Sequence, residues 1–113
     1  MASHPRFEIF KDKQDKFRFN LTASNGQVVL TSQGYAGKPS CKNGIESVRT
    51  NSGDDSRYER KESSNKKHYF NLLAGNKQVI GTSQMYASKA SMENGIKSVK
   101  TNAPKAEIED TTA

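Results

Sequence analysis

Asn43-Gly44-Ile45-Glu46-Ser47-Val48-Arg49-Thr50-Asn51 returns 51 residues later as Asn94-Gly95-Ile96-Lys97-Ser98-Val99-Lys100-Thr101-Asn102. At the same offset, Thr31-Ser32-Gln33-x-Tyr35-Ala36 returns as Thr82-Ser83-Gln84-x-Tyr86-Ala87, and Phe19-Asn20-Leu21 as Phe70-Asn71-Leu72. Three ungapped matches in one register mark a tandem duplication, and an internal period of this length governs every later reading of the chain. Each copy can therefore be read once and checked against the other.

Upstream of the quoted stretch, Phe17, Phe19, Leu21 and Ala23 alternate with Arg18, Asn20 and Thr22, and His68, Phe70, Leu72 and Ala74 alternate with Tyr69, Asn71 and Leu73. A period of two predicts a half-buried strand in each copy. Asn25-Gly26 follows directly, the preferred pair for a type I′ hairpin because both central residues take positive φ. The partner strand then spans Gln27 to Ser32, and Gln78 to Ser83 after a turn around Gly75-Asn76. Phe7-Glu8-Ile9-Phe10 reads as an opening strand, turned into the next by the polar Asp12 to Asp15. After Tyr35 the period changes. Cys41, Ile45 and Val48, like Met92, Ile96 and Val99, fall at i, i+4 and i+7, predicting one amphipathic helix of about three turns per copy. Gly37 and Ser88 are acceptable N-caps, and Pro39 sits in a first turn where no intrahelical donor is lost. Gly44 and Gly95 lie mid-helix, where glycine costs roughly 0.5 to 1 kcal/mol relative to Ala. Their recurrence predicts a close approach of helix to sheet.

Ala106-Glu107-Ile108-Glu109-Asp110 alternates like a short closing strand, and its counterpart after the first helix, Ser56-Arg57-Tyr58-Glu59-Arg60, overlaps the opening strand of the second copy. The expected fold is α+β. Tandem βββαβ repeats, about 6–56 and 57–110, form a single antiparallel sheet with two helices on one face and exchanged or shared closing strands. The whole of 1–113 is then one domain, with residues 1–5 and 111–113 expected to be flexible. The helices cover the face holding Phe19, Leu21, Phe70 and Leu72, leaving Arg18, Asn20, Thr22, Tyr69 and Asn71 to solvent, as an antiparallel sheet allows.

Composition sets further bounds. Hydrophobic residues make up 32% of the 113 and Trp is absent, so the core is thin and built from Phe, Tyr, Ile, Leu and Val. The net charge of +6 is spread over both copies, Lys and Arg alternating with acids rather than forming a patch or stripe. Nucleic-acid binding therefore ranks below a merely solubilising surface charge. A single cysteine, Cys41, excludes an intrachain disulfide and any zinc-ligand spacing. The N-terminus carries no apolar core for a signal peptide, and no apolar run approaches the roughly 18 residues of a membrane span. A cytoplasmic protein with no membrane contact, no cofactor and no metal is expected, monomeric because its two repeats complete one sheet.

The Phe-Glu-Ile-Phe-Lys-Asp run at Phe7 to Asp12, the Thr-Ser-Gln-x-Tyr blocks and the Asn-Gly-Ile-x-Ser-Val helices resemble the YegP-like family of small bacterial proteins, a domain of unknown function often found as tandem copies. The resemblance covers nearly all of both copies and departs only in the linker Ser52-Gly53-Asp54-Asp55 and the short acidic tail. It implies two β3-αβ units joined in one continuous sheet with exchanged closing strands, an arrangement that single-copy members reach as dimers. It implies no activity.

The candidate binding residues are Ser32, Gln33, Tyr35 and Lys38 with their counterparts Ser83, Gln84, Tyr86 and Lys89. Hydroxyls, an amide, a lysine and the N–H groups of a helix start together suit an anion. The competing reading is structural: Ser and Thr satisfy strand and helix ends, and each Tyr packs its ring at the sheet edge. Cys41 corresponds to Met92 on the apolar helix stripe and reads as a small buried hydrophobe. His4 lies in an N-terminus expected to be loose, and His68 aligns with Phe17 in a strand, so neither reads as a catalytic base or metal ligand. Among acidic residues only Glu8 and Glu59 are matched between copies, as partners for basic neighbours on the sheet. A second function class rests on Lys16, Arg18, Lys67 and Tyr69, which offer a basic sheet face for single-stranded bases, although one ring makes a poor stacking platform. The leading expectation is a non-enzymatic binding or interaction module of unknown ligand, the alternative a weak RNA or single-stranded nucleic-acid binder. Because the closing strand of one copy is expected to complete the other, a chain ending at Asn51 should be unfolded or dimeric. A monodisperse folded monomer by light scattering would refute that dependence.

Overall fold

The computed structural model describes residues 4–112. Seven strands form one sheet. In chain order they are β1 (Arg6–Lys11), β2 (Phe17–Thr22), β3 (Val28–Ser32), β4 (Tyr58–Glu62), β5 (His68–Leu73), β6 (Val79–Thr82) and β7 (Glu107–Asp110), with α1 (Lys38–Asn51) after β3 and α2 (Lys89–Asn102) after β6. The sheet order is β4-β5-β6-β3-β2-β1-β7. Each copy contributes an antiparallel meander, and the two meanders meet at β3 and β6, around which the molecule is pseudo-twofold.

The sheet is mixed rather than wholly antiparallel. β7 lies parallel to β1, from Arg6 beside Glu107 to Ile9 beside Asp110. The expected sharing of the strand at Tyr58 takes a different form: β4 pairs only with β5 and is a sheet edge. The exchange runs one way, the closing strand of the second copy covering the opening strand of the first. The chain enters β4 directly from a 3-10 turn at Asp55–Arg57, leaving no separate closing strand after α1.

The strands follow the alternation in the sequence, with one irregularity that the alternation does not reveal. Asn20 pairs with Thr31 and Leu21 with Leu30, but Thr22 pairs with Val28, so Val29 is extra; in the second copy Ile80 is extra in the same way. A bulge of this kind puts two consecutive residues of one strand opposite one of its partner. That is why Val29 and Leu30, and Ile80 and Gly81, are buried in succession. Thr22, expected on the solvent face, is buried. Its Oγ1 accepts from the Arg6 amide at 3.0 Å and lies 2.8 Å from Nδ1 of His4. At the other end the Thr111 amide donates to the Ile9 carbonyl at 3.0 Å. The expectation of loose ends falls otherwise on residues 1–3 and 113, which lie outside the described residues.

The Asn25-Gly26 turn is also not type I′. Only Gly26 has positive φ, at 84°; the Gly26 amide donates to the Ala23 carbonyl, and the Ala23 amide donates to the Gln27 carbonyl. This is a three-residue loop, a type I turn followed by one left-handed residue. All four hairpins use it, with Asp15, Lys66 and Lys77 holding the left-handed position elsewhere. Asn-Gly satisfied both turn types on paper, and the three non-glycine examples carry no such signature.

Both helices cover one face over a single core containing Phe7, Phe19, Leu21, Leu30, Ile45, Val48, Phe70, Leu72, Ile96 and Val99. They are longer than expected, 14 residues each. Each reaches across the junction: α1 packs on β2 and also on β5 and β6, and α2 on β5 and also on β3. Aromatic pairs repeat with the copies, Phe7 edge-on to Phe19 at 5.8 Å and Tyr58 edge-on to Phe70 at 5.6 Å. The copies differ where they meet. Gly81 takes the position of Leu30, and a Cβ built at Gly81 would lie 2.9 Å from the Leu30 Cγ and 3.0 Å from the Thr31 carbonyl oxygen. Only one side chain fits at the junction. Gly81→Ala should therefore lower stability by about 1–3 kcal/mol, the usual range for overpacking, as read by urea denaturation. The loss should shrink in the Leu30→Ala background, and additive losses would refute the steric account.

Candidate functional site

The Thr-Ser-Gln-x-Tyr segments are built into the sheet. Ser32 Oγ accepts from the Phe19 amide at 2.9 Å and donates to the Gln33 carbonyl at 2.8 Å; Ser83 does the same for Phe70 and Gln84 at 3.0 and 2.8 Å. Each hydroxyl stands in for a ladder acceptor where the strand leaves the sheet. The chain then returns to make a two-way backbone pair, Tyr35 with Phe17 and Tyr86 with His68. This places the hydroxyl end of each tyrosine ring against the middle of a helix. A methyl group at Gly44 would overlap the Tyr35 hydroxyl and lie 2.8 Å from Cζ, and Gly95 stands in the same relation to Tyr86. The close approach expected at the helix glycines is thus to a tyrosine strap as much as to the strands. Burial pushes both tyrosine hydroxyls above their ordinary pKa.

The remaining candidate residues do not converge. Gln33 and Gln84 are exposed, the latter donating across the junction to the Val28 carbonyl at 2.6 Å. Lys38 pairs with Asp110 at 2.8 Å and lies over the Phe17 ring, whereas Lys89 stands exposed at the start of α2. Cys41 is fully buried, and its thiol is pushed up to about 11 by desolvation, with Asp110 adding to the shift. His68 is half-buried with Nε2 4.0 Å from Glu62. Among the described residues no three His, Cys, Asp or Glu side chains gather as a metal site, and no helix is long and apolar enough to cross a membrane.

What the sequence did not reveal is a row of polar residues across the open face. Cross-strand register places Glu8, Asn20, Thr31, Thr82, Asn71 and Glu59 side by side on six successive strands, and Glu109 of β7 extends the row beyond Glu8. The row reads the same from either end. Thr31 Oγ1 donates to Asn20 Oδ1 at 2.9 Å and Thr82 Oγ1 to Asn71 Oδ1 at 2.7 Å. In the second copy Asn71 Nδ2 continues the chain to Glu59 at 3.0 Å; in the first, Glu8 turns instead to Arg6, which also reaches Glu109 at 3.3 Å. Phe10, Arg18, Tyr69 and Lys61 flank the row, with Arg18 paired to Asp12 at 2.8 Å. The arrangement offers hydroxyl and amide donors and acceptors at its centre and carboxylates at both ends. The usable signal was the identity of Glu8 with Glu59, Asn20 with Asn71 and Thr31 with Thr82, but their alignment needs the register, and the bulge conceals it.

Fold and surface together define a duplicated α+β sheet protein with one face closed by paired helices and a polar, symmetric open face. The chain belongs to the family described as a domain of unknown function, DUF1508, whose profile matches twice, at residues 12–59 and 63–110. It is 58% identical over 102 residues to the UPF0339 protein in the ptx operon 5′ region of Stutzerimonas stutzeri, covering 90% of this chain and 92% of that one. It is 51% identical over 106 residues to the UPF0339 protein YegP of Escherichia coli, covering 94% and 96%. The solution NMR structure of YegP superposes with a TM-score of 0.89 at 50% identity over 98% of this chain and 94% of that one. That of a UPF0339 protein from Shewanella oneidensis superposes with a TM-score of 0.87 at 51% identity, over 93% and 89%. The YegP-like resemblance is thereby shown.

Asp110 holds β7 to the start of α1, and its carboxyl lies well below the ordinary carboxylate range, chiefly because Lys38 donates to it and secondly because Thr112 does. A depressed folded-state pKa contributes stability that is present above the unfolded pKa of about 3.9 and is lost as pH falls below it. Acidification from pH 6 to pH 3 should therefore accelerate hydrogen exchange at the Thr111 amide ahead of the core amides, beyond the intrinsic pH effect. Asp110→Asn should abolish that acid-dependent difference.

Proposed function

We propose that the protein is a small non-enzymatic binding module whose partner lies on the open face of the sheet, over the row from Glu8 to Glu59. The single observation that supports this reading is the row itself: three residue types repeated in both copies and brought into one line by the register. A polar face needs no particular order to be soluble, whereas a hydrogen-bonding partner does. The reading is preferred to the Ser-Gln-x-Tyr segments because Ser32, Ser83 and Lys38 already have partners within the fold.

The row favours a neutral or cationic polar partner. Its ends are carboxylates, and Arg18, the basic group most central to the face, is neutralised by Asp12. Both features disfavour a phosphate backbone, whose binding depends on unpaired Lys and Arg. Nucleic acid is therefore the second reading, and the two are separable. A fluorescent single-stranded oligonucleotide should show no saturable binding at about 50 mM salt; binding with a steep salt slope would overturn the preference. For the face itself, the double variant Asn20→Arg/Asn71→Arg should abolish retention of partners that the parent protein captures. Partners retained equally by both proteins would refute the assignment.

A further inference from the structure

The opening strands of the two copies, β1 and β4, are counterparts, but among the described residues β1 is covered by β7 and β4 has no strand beyond it. On the covered edge, β7 lies parallel to β1, the Thr111 amide donates to the Ile9 carbonyl at 3.0 Å and Asp110 reaches Lys38 at 2.8 Å. An offset of 51 residues carries Ile9 to Arg60, Lys38 to Lys89 and Cys41 to Met92. There β4 is the outermost strand. Beside it is a cleft of about 490 Å³ lined by the cations Arg60, Lys61 and Lys89, the carboxylates Glu62 and Glu93, and His68 and Met92.

We propose that this edge and cleft form a docking site for an extended, carboxylate-bearing segment of a partner protein, added to β4 as a parallel strand with an acidic side chain on Lys89. It is a site apart from the open face and does not depend on the reading of that face. The covered strand β1 defines what the exposed edge of β4 fits. A strand there gains main-chain hydrogen bonds from an exposed β edge, while pockets beside the edge select its side chains. Lys89 is the counterpart of the lysine that the first copy uses for Asp110, and it carries no carboxylate partner among the described residues. The differences between the edges set the chemistry. Ile9, Phe10 and Phe17 are replaced by Arg60, Lys61 and His68, so the second edge takes a less apolar segment than the first. Arg60 is already paired, with Glu93 at 2.6 Å and Asp55 at 3.1 Å, which leaves Lys89 as the cation for the incoming carboxylate. The chain's own closing strand does not serve, because β7 is bound at the opposite end of the sheet. The rival explanation is that the charges of β4 serve to keep that edge unpaired.

The probe is a synthetic peptide of residues 103–113, titrated into the full-length ¹⁵N-labelled protein. Saturable amide shifts are expected in β4 and the first turn of α2, at Arg60, Lys61 and Lys89. Affinity should fall about two- to fivefold, the effect of one exposed ion pair, with Lys89→Ala in the protein and equally with Asp110→Asn in the peptide, which cannot disturb folding. The proposal is overturned by an absence of shifts at roughly millimolar peptide. It is equally overturned by shifts confined to β1 and β7, where the probe merely replaces the native strand. Concentration-dependent shifts at β4 without peptide would identify a second copy as the occupant instead of a partner protein, and would overturn it too.

Discussion

The junction between β3 and β6 is the constraint on which the rest of the molecule depends. Leu30 of the first copy fills the space at the pseudo-twofold centre, and the second copy has Gly81 where a second leucine would collide with it. A duplicated chain cannot place the same large side chain twice in one spot, so the identity of the copies ends there. Paired β3 and β6 share few residues, Thr31 with Thr82 and Ser32 with Gly81. The helices complete the joint by packing across it onto the opposite copy. One core results, with neither half holding a closed one.

Around that joint, most of the residues repeated between the copies serve the fold. Ser32 and Ser83 replace missing ladder acceptors, Tyr35 and Tyr86 strap the helices at Gly44 and Gly95, and Asn51 and Asn102 donate to the carbonyls of Ser47 and Ser98 where the helices end. Among the repeated residues that are left, Glu8, Asn20 and Thr31 and their counterparts stand together: exposed or partly exposed, turned away from the core and aligned across six strands. Repetition alone does not separate structural residues from a binding surface. Position relative to the core does.

Much of the architecture was legible because it rests on local periodicity. The alternation at Phe17 to Ala23 and the spacing of Cys41, Ile45 and Val48 located strands and helices in both copies, and the offset of 51 residues confirmed each reading. The parts that were not legible depend on contacts distant in sequence or on backbone conformations with no residue signature. The left-handed residues Asp15, Lys66 and Lys77 carry no glycine to announce them. The bulges at Val29 and Ile80 arise from pairing, not from composition. The partners of the candidate site residues were not legible either, and Lys38 and Lys89 proved unlike because a strand from the far end of the chain reaches only one of them.

By itself the sequence determined that the protein is a duplication, that each copy is a strand meander followed by an amphipathic helix, and that Cys41 belongs to an apolar stripe, since hydrophobic period is a property of neighbours along the chain. Tertiary structure alone decided that the sheet is mixed, that β7 covers β1 while β4 stays an edge, and that the polar residues of six strands stand in one row. Those outcomes follow from register and from which edge a closing strand reaches. Both are settled only when segments far apart in sequence compete for the same hydrogen bonds and the same space.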